Sequence, residues 1–576
     1  MDELPVPDLL SRAAAIRVDA SELRQTLIFA FATGGTVDAF DRALERAALP
    51  RSTWDRTFFA RDVFLDALLT RALALRIGGR EFSPCAPYLA RALAEPPADQ
   101  REAELRRGVL GELVQKKPLR TAFERVYQDL VRLRALFCVA RDAAPRVRRL
   151  EILRSIRGLV DALADGFEGA ESALDRLGAF GAAVRASAAY KHLDALLDHE
   201  EHMATLDLRV RVGADGELSA FQVVAVREND VNPFYVSAFG RWMVRLTMFF
   251  RGIRATGGVV IESLFEDVFA ALEPALVRMF QLVGDQEFYL ASLGLRDRAV
   301  AAGLPVCFAE MRPATTADAD VTRLWNPLLL DGKTKPVPCD LTTAGGRSVT
   351  LITGPNSGGK TRLLQAIAIA QTLAQAGAFV PAARAVLPTA EGLFVSLLEE
   401  ARADQPEGQL GMELLRIRRL FEELQGGCLV LLDELCSGTN PSEGEEIAEL
   451  VLSLLPEVRA RAYVTTHLLS FAQRLASERP FEGLDFVQVA LDDKERPTFG
   501  FVPGVAKTSL ARHTAARLGV TRDELCELIA RKKRAATAAA ATSVPGSTDG
   551  AEDDAPESAA ARATSREARA SRRAPA

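Results

Sequence analysis

Apolar residues recur at helical spacing over most of the first 320 positions. Leu153, Ile156, Val160 and Leu163 repeat at intervals of three and four, which places them on one face of a helix. Phe265, Val268, Phe269, Leu272, Leu276, Met279, Phe280 and Val283 keep the same period over a longer span, with Pro274 as an expected kink. One stretch breaks the period. Residues 206–226 set Leu206, Leu208, Val210 and Val212 against Asp207, Arg209 and Arg211 and then turn at Asp215-Gly216, a β-hairpin pattern between helices. From about residue 321 the short apolar runs 348–353, 428–433 and 462–466 alternate with helical segments, which predicts a parallel sheet with helices on its faces.

These patterns divide the chain into an N-terminal helical region (1–105), a mostly helical core carrying the hairpin (106–320), an α/β domain (321–535) and a tail (536–576). The tail is alanine, serine and charge with too few large apolar residues to bury a core, so disorder is expected there. A length of 576 residues agrees with two to four domains. The net charge of −6 argues against a generally basic nucleic-acid coat protein, although it leaves room for a local basic face. Seven scattered cysteines without a C-x-x-C pair suggest neither a disulfide framework nor a thiolate zinc site. The N-terminus MDELPVPDLL is acidic where a secretory signal needs basic residues, and no apolar run approaches the roughly 20 residues that span a bilayer. A cytoplasmic protein without a membrane partner is expected.

The chemistry concentrates in the α/β domain. Gly354, Pro355, Asn356, Ser357, Gly358, Gly359, Lys360 and Thr361 fit G-x-x-x-x-G-K-[ST] between a strand and a helix. Glycines let successive backbone N–H groups converge on an anion, and the helix that follows adds its own N-terminal N–H groups. Lys360 is then expected to reach the β- and γ-phosphates of ATP and Thr361 to ligate Mg²⁺. The run 428–435 is a buried strand ending in two carboxylates: Asp433 is expected in the metal shell, and Glu434 as the base that deprotonates the attacking water. His467, ending a third strand, is expected to sense the γ-phosphate.

Together, residues 353–361 (TGPNSGGKT), 377–382 (GAFVPA), 431–444 (LLDELCSGTNPSEG) and 465–467 (TTH) resemble the ATPase domain of the MutS family, DNA mismatch-repair ATPases of the ABC-type class. Residues 503–520 resemble that family's C-terminal helix-turn-helix, through Gly504, Ser509, Ala515 and Gly519. The resemblance implies a P-loop ATPase domain behind a helical lever, and a homodimer with composite sites in which Thr439 and Asn440 lie near the partner's nucleotide. It also implies that ATP binding moves the helical arms around a DNA duplex.

Three departures bear on function. The first 180 residues contain no Phe-x-Glu, the wedge of mismatch-reading members, so a divergent member without the N-terminal mismatch-binding domain is expected. Leu410 and Gly411 stand where the family usually has a serine that reaches across the dimer. Val337 stands near the place of an aromatic that often stacks on adenine. The 438–444 run also resembles a MutS paralogue bearing a C-terminal Smr nuclease module, for which the tail here is too short and too low in complexity.

Between Arg106 and Arg157 fourteen basic residues face five acidic ones, an excess that suits either phosphate contacts or solvated helix faces. His199 and His202 are three apart, not the H-E-x-x-H spacing, and read as a solvated helix end. The expected function is an Mg²⁺-dependent ATPase that binds double-stranded DNA as a dimeric clamp without reading mismatches. Action on ribosomes or RNA, or a nucleotide-switched scaffold with little turnover, are the alternatives.

Overall fold

The structure, a computed structural model, describes residues 4–138, 145–201, 205–212, 218–227, 257–314, 318–330, 332, 335–343, 349–355, 357–397, 408–424, 426–435, 440–507 and 519–541. The first 509 residues form one compact unit, and a second unit begins at Leu510.

The helical half is organised around α1 (Gly257–Ala301), which runs through Pro274 without interruption. Its apolar stripe, Phe265 to Val283, is buried as the spacing predicts, and Leu153, Ile156, Val160 and Leu163 are buried on the helix Pro145–Gly166. Local signals set the element ends. Asp19 caps the helix Ala20–Thr33 by accepting from the backbone of Ser21 and Glu22, and Gly34 ends it at φ 90°. Aromatic pairs lock these helices to α1: Phe31 stacks on Phe269 at 4.0 Å and Phe40 on Phe280 at 4.8 Å. The predicted hairpin is present as Thr205–Val212 antiparallel to Leu218–Arg227, while its Asp215-Gly216 turn lies outside the described residues.

A buried polar seam straps the N-terminus across α1. The Arg17 guanidinium pairs with Asp285 and donates to Tyr88 Oη at 2.9 Å, Gln281 accepts from the Arg17 backbone at 2.6 Å, and Asp285 accepts from the Leu9 backbone at 3.1 Å. The Arg17 guanidinium is thus balanced by buried carboxylates, Asp285 and Asp8, which keeps the charges tolerable in the interior. Nearby Glu287, fully buried on α1, accepts from the Cys85 backbone at 2.9 Å and from the Tyr127 hydroxyl at 3.3 Å. Burial pushes its carboxyl up from 4.5 to about 7.

A carboxyl raised in the fold contributes stability that is complete below its unfolded pKa of 4.5 and lost as pH rises through about 7. The group therefore removes roughly 3 kcal/mol across that window. Glu287→Gln is expected to gain about that much relative to the parent between about pH 5 and pH 8, measured by urea melts at both. An offset between the two proteins that is the same at both pH values would show that Glu287 is ionised throughout.

Part of the basic excess of residues 106–157 is spent inside the molecule, where Arg106, Arg134 and Arg148 are buried. Arg106 is only 1% exposed: it donates to Ala376 O at 3.0 Å and lies 5.2 Å from the Phe288 ring. Arg120 pairs with Asp297 and Glu124, Arg134 with Asp41, and Lys116 with Glu112 and Glu171. Arg148 donates to the carbonyls of Ala30 and Phe31. For Arg106, Arg134 and Arg148 the reading as a phosphate-contacting face is corrected, because they are buried and their guanidinium groups are used on distant segments. Arg125, Arg132 and Arg154 line a surface groove with Asp129 and Glu151, and Arg125 pairs with Asp129 at 3.7 Å.

The α/β half contains a six-stranded sheet whose strands in chain order are β1 (Val349–Thr353), β2 (Leu393–Ser396), β3 (Leu429–Leu432), β4 (Arg461–Thr465), β5 (Leu484–Leu491) and β6 (Pro497–Pro503). The spatial order is β2-β3-β4-β1-β5-β6, parallel throughout except for β6. The strands β1, β3 and β4 are buried along their whole length because both faces are covered there, whereas β6 at the edge has no buried residue. Ile352, Leu429 and Leu431 pack with the helix α2 (Lys360–Ala376). Leu351, Val430 and Val464 pack with α3 (Pro441–Leu454) and α4 (Leu469–Glu478). A second sheet of four strands contains Glu310–Arg312, Arg384–Pro388, Ala319–Leu324 and Cys339–Thr343 in that spatial order.

In the second unit the helix α5 (Arg522–Ala541) extends six residues into the segment expected to be a disordered tail. The run Ala535–Ala541 is alanine apart from Thr537, the strongest intrinsic helix former, and that local preference overrides the lack of a core. Residues 542–576 and most of the predicted helix-turn-helix (508–518, with Ser509 and Ala515) lie outside the described residues.

Candidate functional site

The strand β1 delivers the chain into the glycine loop, and α2 leaves it from Gly359 at φ 90°. Two glycines are required by close approach. A Cβ at Gly354, itself at φ 139°, would lie 2.6 Å from Val489 Cγ2, and one at Gly358 would lie 2.8 Å from the same atom. The loop can therefore sit flat on β5 only without side chains at those positions. Pro355, Ser357, Gly358 and Gly359 complete the described part of the loop, while Asn356 lies outside it.

Lys360 opens α2, is buried, and folds back to donate to Gly354 O at 2.9 Å and Pro355 O at 3.4 Å. Burial depresses its ammonium pKa, and the nearby Glu434 and Asp433 pull it back up. This cation is aimed into the loop and only partly compensated, the electrostatic condition for binding an anion there.

Thr361 and Asp433 meet directly: the Thr361 hydroxyl donates to Asp433 Oδ2 at 2.6 Å. Asp433 is seated at the end of β3, where its backbone N–H donates to Ser396 O at 2.9 Å. Glu434 follows at φ 50°, a left-handed conformation rare for a side-chain-bearing residue. That turn lets two successive carboxylates serve one crevice, although neighbours on a regular strand point apart. Glu434 Oε1 lies 3.9 Å from Lys360 Nζ, and Oε2 lies 3.9 Å from His467 Nδ1. Lys360, Thr361, Asp433, Glu434 and His467 are thus brought together from three segments of the chain.

Thr465 was missed by the sequence reading. It is fully buried on β4, donates to Asp433 Oδ1 at 2.5 Å and accepts from the Glu434 backbone N–H at 2.8 Å. One hydroxyl thereby ties the Asp433 carboxylate to the Glu434 backbone. The signal available was its place two residues before His467 at a strand end, but its target depends on the pairing Leu432↔Val464 between β3 and β4.

The loop opens onto a cavity of about 760 Å³. Its polar lining includes Ser357, Lys360, Thr361 and Asp433, and its apolar lining includes Val337 and the rings of Phe499 and Phe501. Thr361 and Asp433 supply an oxygen pair of the kind that suits Mg²⁺, and the buried Lys360 suits phosphate, so the residues present fit a magnesium nucleotide. Asn440 precedes α3 and is exposed, whereas Thr439 lies outside the described residues. Leu410 and Gly411 belong to the helix Gly408–Glu423.

Residues 350–522 match the family model for MutS domain V. The chain is also similar to proteins named Endonuclease MutS2. The one from Thermus thermophilus is 34% identical over 238 residues, 41% of this chain and 31% of that protein. The one from Carboxydothermus hydrogenoformans is 31% identical over 270 residues, 45% of this chain and 33% of that protein. The chain thus covers about a third of the length of these relatives. No helix among the described residues is long and apolar enough to cross a membrane. On the matched domain and these relatives, residues 350–522 of the chain form a MutS domain V, in agreement with the MutS-family resemblance of its motifs.

Proposed function

We propose that the chain hydrolyses ATP with Mg²⁺ at this site and uses nucleotide binding to close a homodimeric clamp on double-stranded DNA. The observation that carries the reading is the hydrogen-bonded cluster of Thr361, Asp433, Thr465 and Glu434 beside the glycine loop. In this reading the Lys360 ammonium exchanges the carbonyls of Gly354 and Pro355 for phosphate oxygens when ATP enters. Thr361 and Asp433 would hold the magnesium ion, which would supply positive charge to offset that of the phosphates. Glu434 accepts the proton of the attacking water, and His467, 3.9 Å from that carboxylate, orients it. Thr465 holds Asp433 and Glu434 in place and does not itself meet the reacting atoms. Asn440, with Thr439, contacts the nucleotide of the second copy. The useful work is differential: ATP favours the closed arms only insofar as it binds that state more tightly.

ATP is expected to change the affinity for duplex DNA by about tenfold or more at about 0.15 M salt, measured by fluorescence anisotropy of the full chain with and without nucleotide. Equal affinity in both states would overturn the clamp. Tighter, ATP-dependent binding to ribosomes or single strands than to duplex would reassign the partner.

A further inference from the structure

The cavity that holds Lys360, Thr361 and Asp433 has a wall that the ATPase motifs do not supply. Phe64, from the N-terminal helical region, lines the same cavity. The segment that carries it is anchored on both sides. Ahead of it, the Trp54 indole donates to Ala390 O at 2.8 Å, and the Phe58 ring packs on Phe394 of β2 at 5.7 Å under the guanidinium of Arg419. Behind it, Leu65, Leu68 and Leu69 are buried, and the turn Leu68–Ala72 packs on Pro327–Leu329.

Between these anchors Phe64 is held at φ 54° with its side chain 51% exposed. Both properties are unfavourable without a ligand. A left-handed backbone costs a bulky residue about 1–3 kcal/mol, which glycine would avoid, and an exposed ring gains nothing from burial. Among the described non-glycine residues with positive φ, two are aromatic: Phe64 and Phe499, the latter at φ 60° and 49% exposed. Both line this cavity. Strain and exposed apolar surface thus coincide where the polar lining is a phosphate cradle. The chemistry complementary to that combination is a phosphorylated group bearing a flat, polarisable ring, which describes a nucleotide's base.

We propose that Phe64 packs on the base of the bound nucleotide, making residues 54–72 part of the nucleotide site and coupling the N-terminal helical region to its occupancy. This rests on the reading of the cavity as an ATP site. The test uses the full chain and calorimetric titration with ATP and with inorganic tripolyphosphate, which has phosphates but no base. Phe64→Ala is expected to weaken ATP about 3- to 10-fold and to leave tripolyphosphate unchanged, and Phe64→Tyr to restore ATP to near the parental affinity. Parental ATP affinity in Phe64→Ala overturns the proposal, as does an equal loss for both ligands, which would mean damage to the loop. Failure of the parent protein to bind ATP would instead remove the ATP reading itself.

Discussion

Glu434→Gln is expected to keep ATP bound while slowing hydrolysis at least about 100-fold, the range lost when a positioned general base is removed. The substitution preserves shape and leaves the features that place the side chain: the left-handed turn at φ 50° and the backbone hydrogen bond to Thr465. What it removes is the acceptor for the water's proton. Nucleotide affinity should stay within about threefold of the parent, because the cradle and the Thr361–Asp433 pair are untouched. An ATP-bound state, in the proposed scheme the closed dimer, should then accumulate. Single-turnover hydrolysis of labelled ATP, with light scattering on the same sample, measures both effects. A variant that turns over at the parental rate assigns the base elsewhere. A parent that shows no turnover with any partner supports the scaffold reading.

The second large effect concerns binding. Lys360→Ala should reduce ATP affinity at least about 100-fold, roughly 3 kcal/mol, because it deletes a charge-assisted contact in a buried setting. The same change should not destabilise the ligand-free protein. Burial already depresses this ammonium's pKa, and its nearest carboxylate oxygen, on Glu434, is 3.9 Å away, so removing the charge relieves a desolvation cost about as large as the contacts it loses. Thermal melts with and without ATP separate the two effects: the melting temperature without ligand should hold, while the rise caused by ATP disappears. A large fall in stability without ligand would instead mean that the lysine braces the loop, and the loss of binding would then carry no information about phosphate contact.

Much of the architecture could be read along the chain because its signals are local. The stripe from Phe265 to Val283 and the alternation from Leu206 to Val212 need only the periods of helix and strand, and both elements are present. The glycine loop and the Asp433-Glu434 pair are legible for a related reason: an anion cradle and a carboxylate at a strand end each fit into a few consecutive residues. Where local signals competed, the reading failed. The alanines of 535–541 were read for their lack of a core, and their helix propensity prevailed.

Charge was the weakest guide. Arg106 and Arg148 look like surface cations in a basic run, yet both are buried against backbone carbonyls of distant segments. Counting charges cannot reveal this, because the partners lie 270 and 118 positions away in sequence.

Periodicity and the short motifs were therefore sufficient for the element types and for placing the glycine loop ahead of α2 and the carboxylate pair at the end of β3, since each depends on contacts within a few residues. The identity of the residue that joins the Asp433 carboxylate to the Glu434 backbone, the fate of the buried arginines in the basic run and the aromatic wall at Phe64 followed from strand register and long-range packing. Those depend on which distant segments come within hydrogen-bonding or van der Waals reach, a consequence of the chain's global minimum that no local pattern encodes.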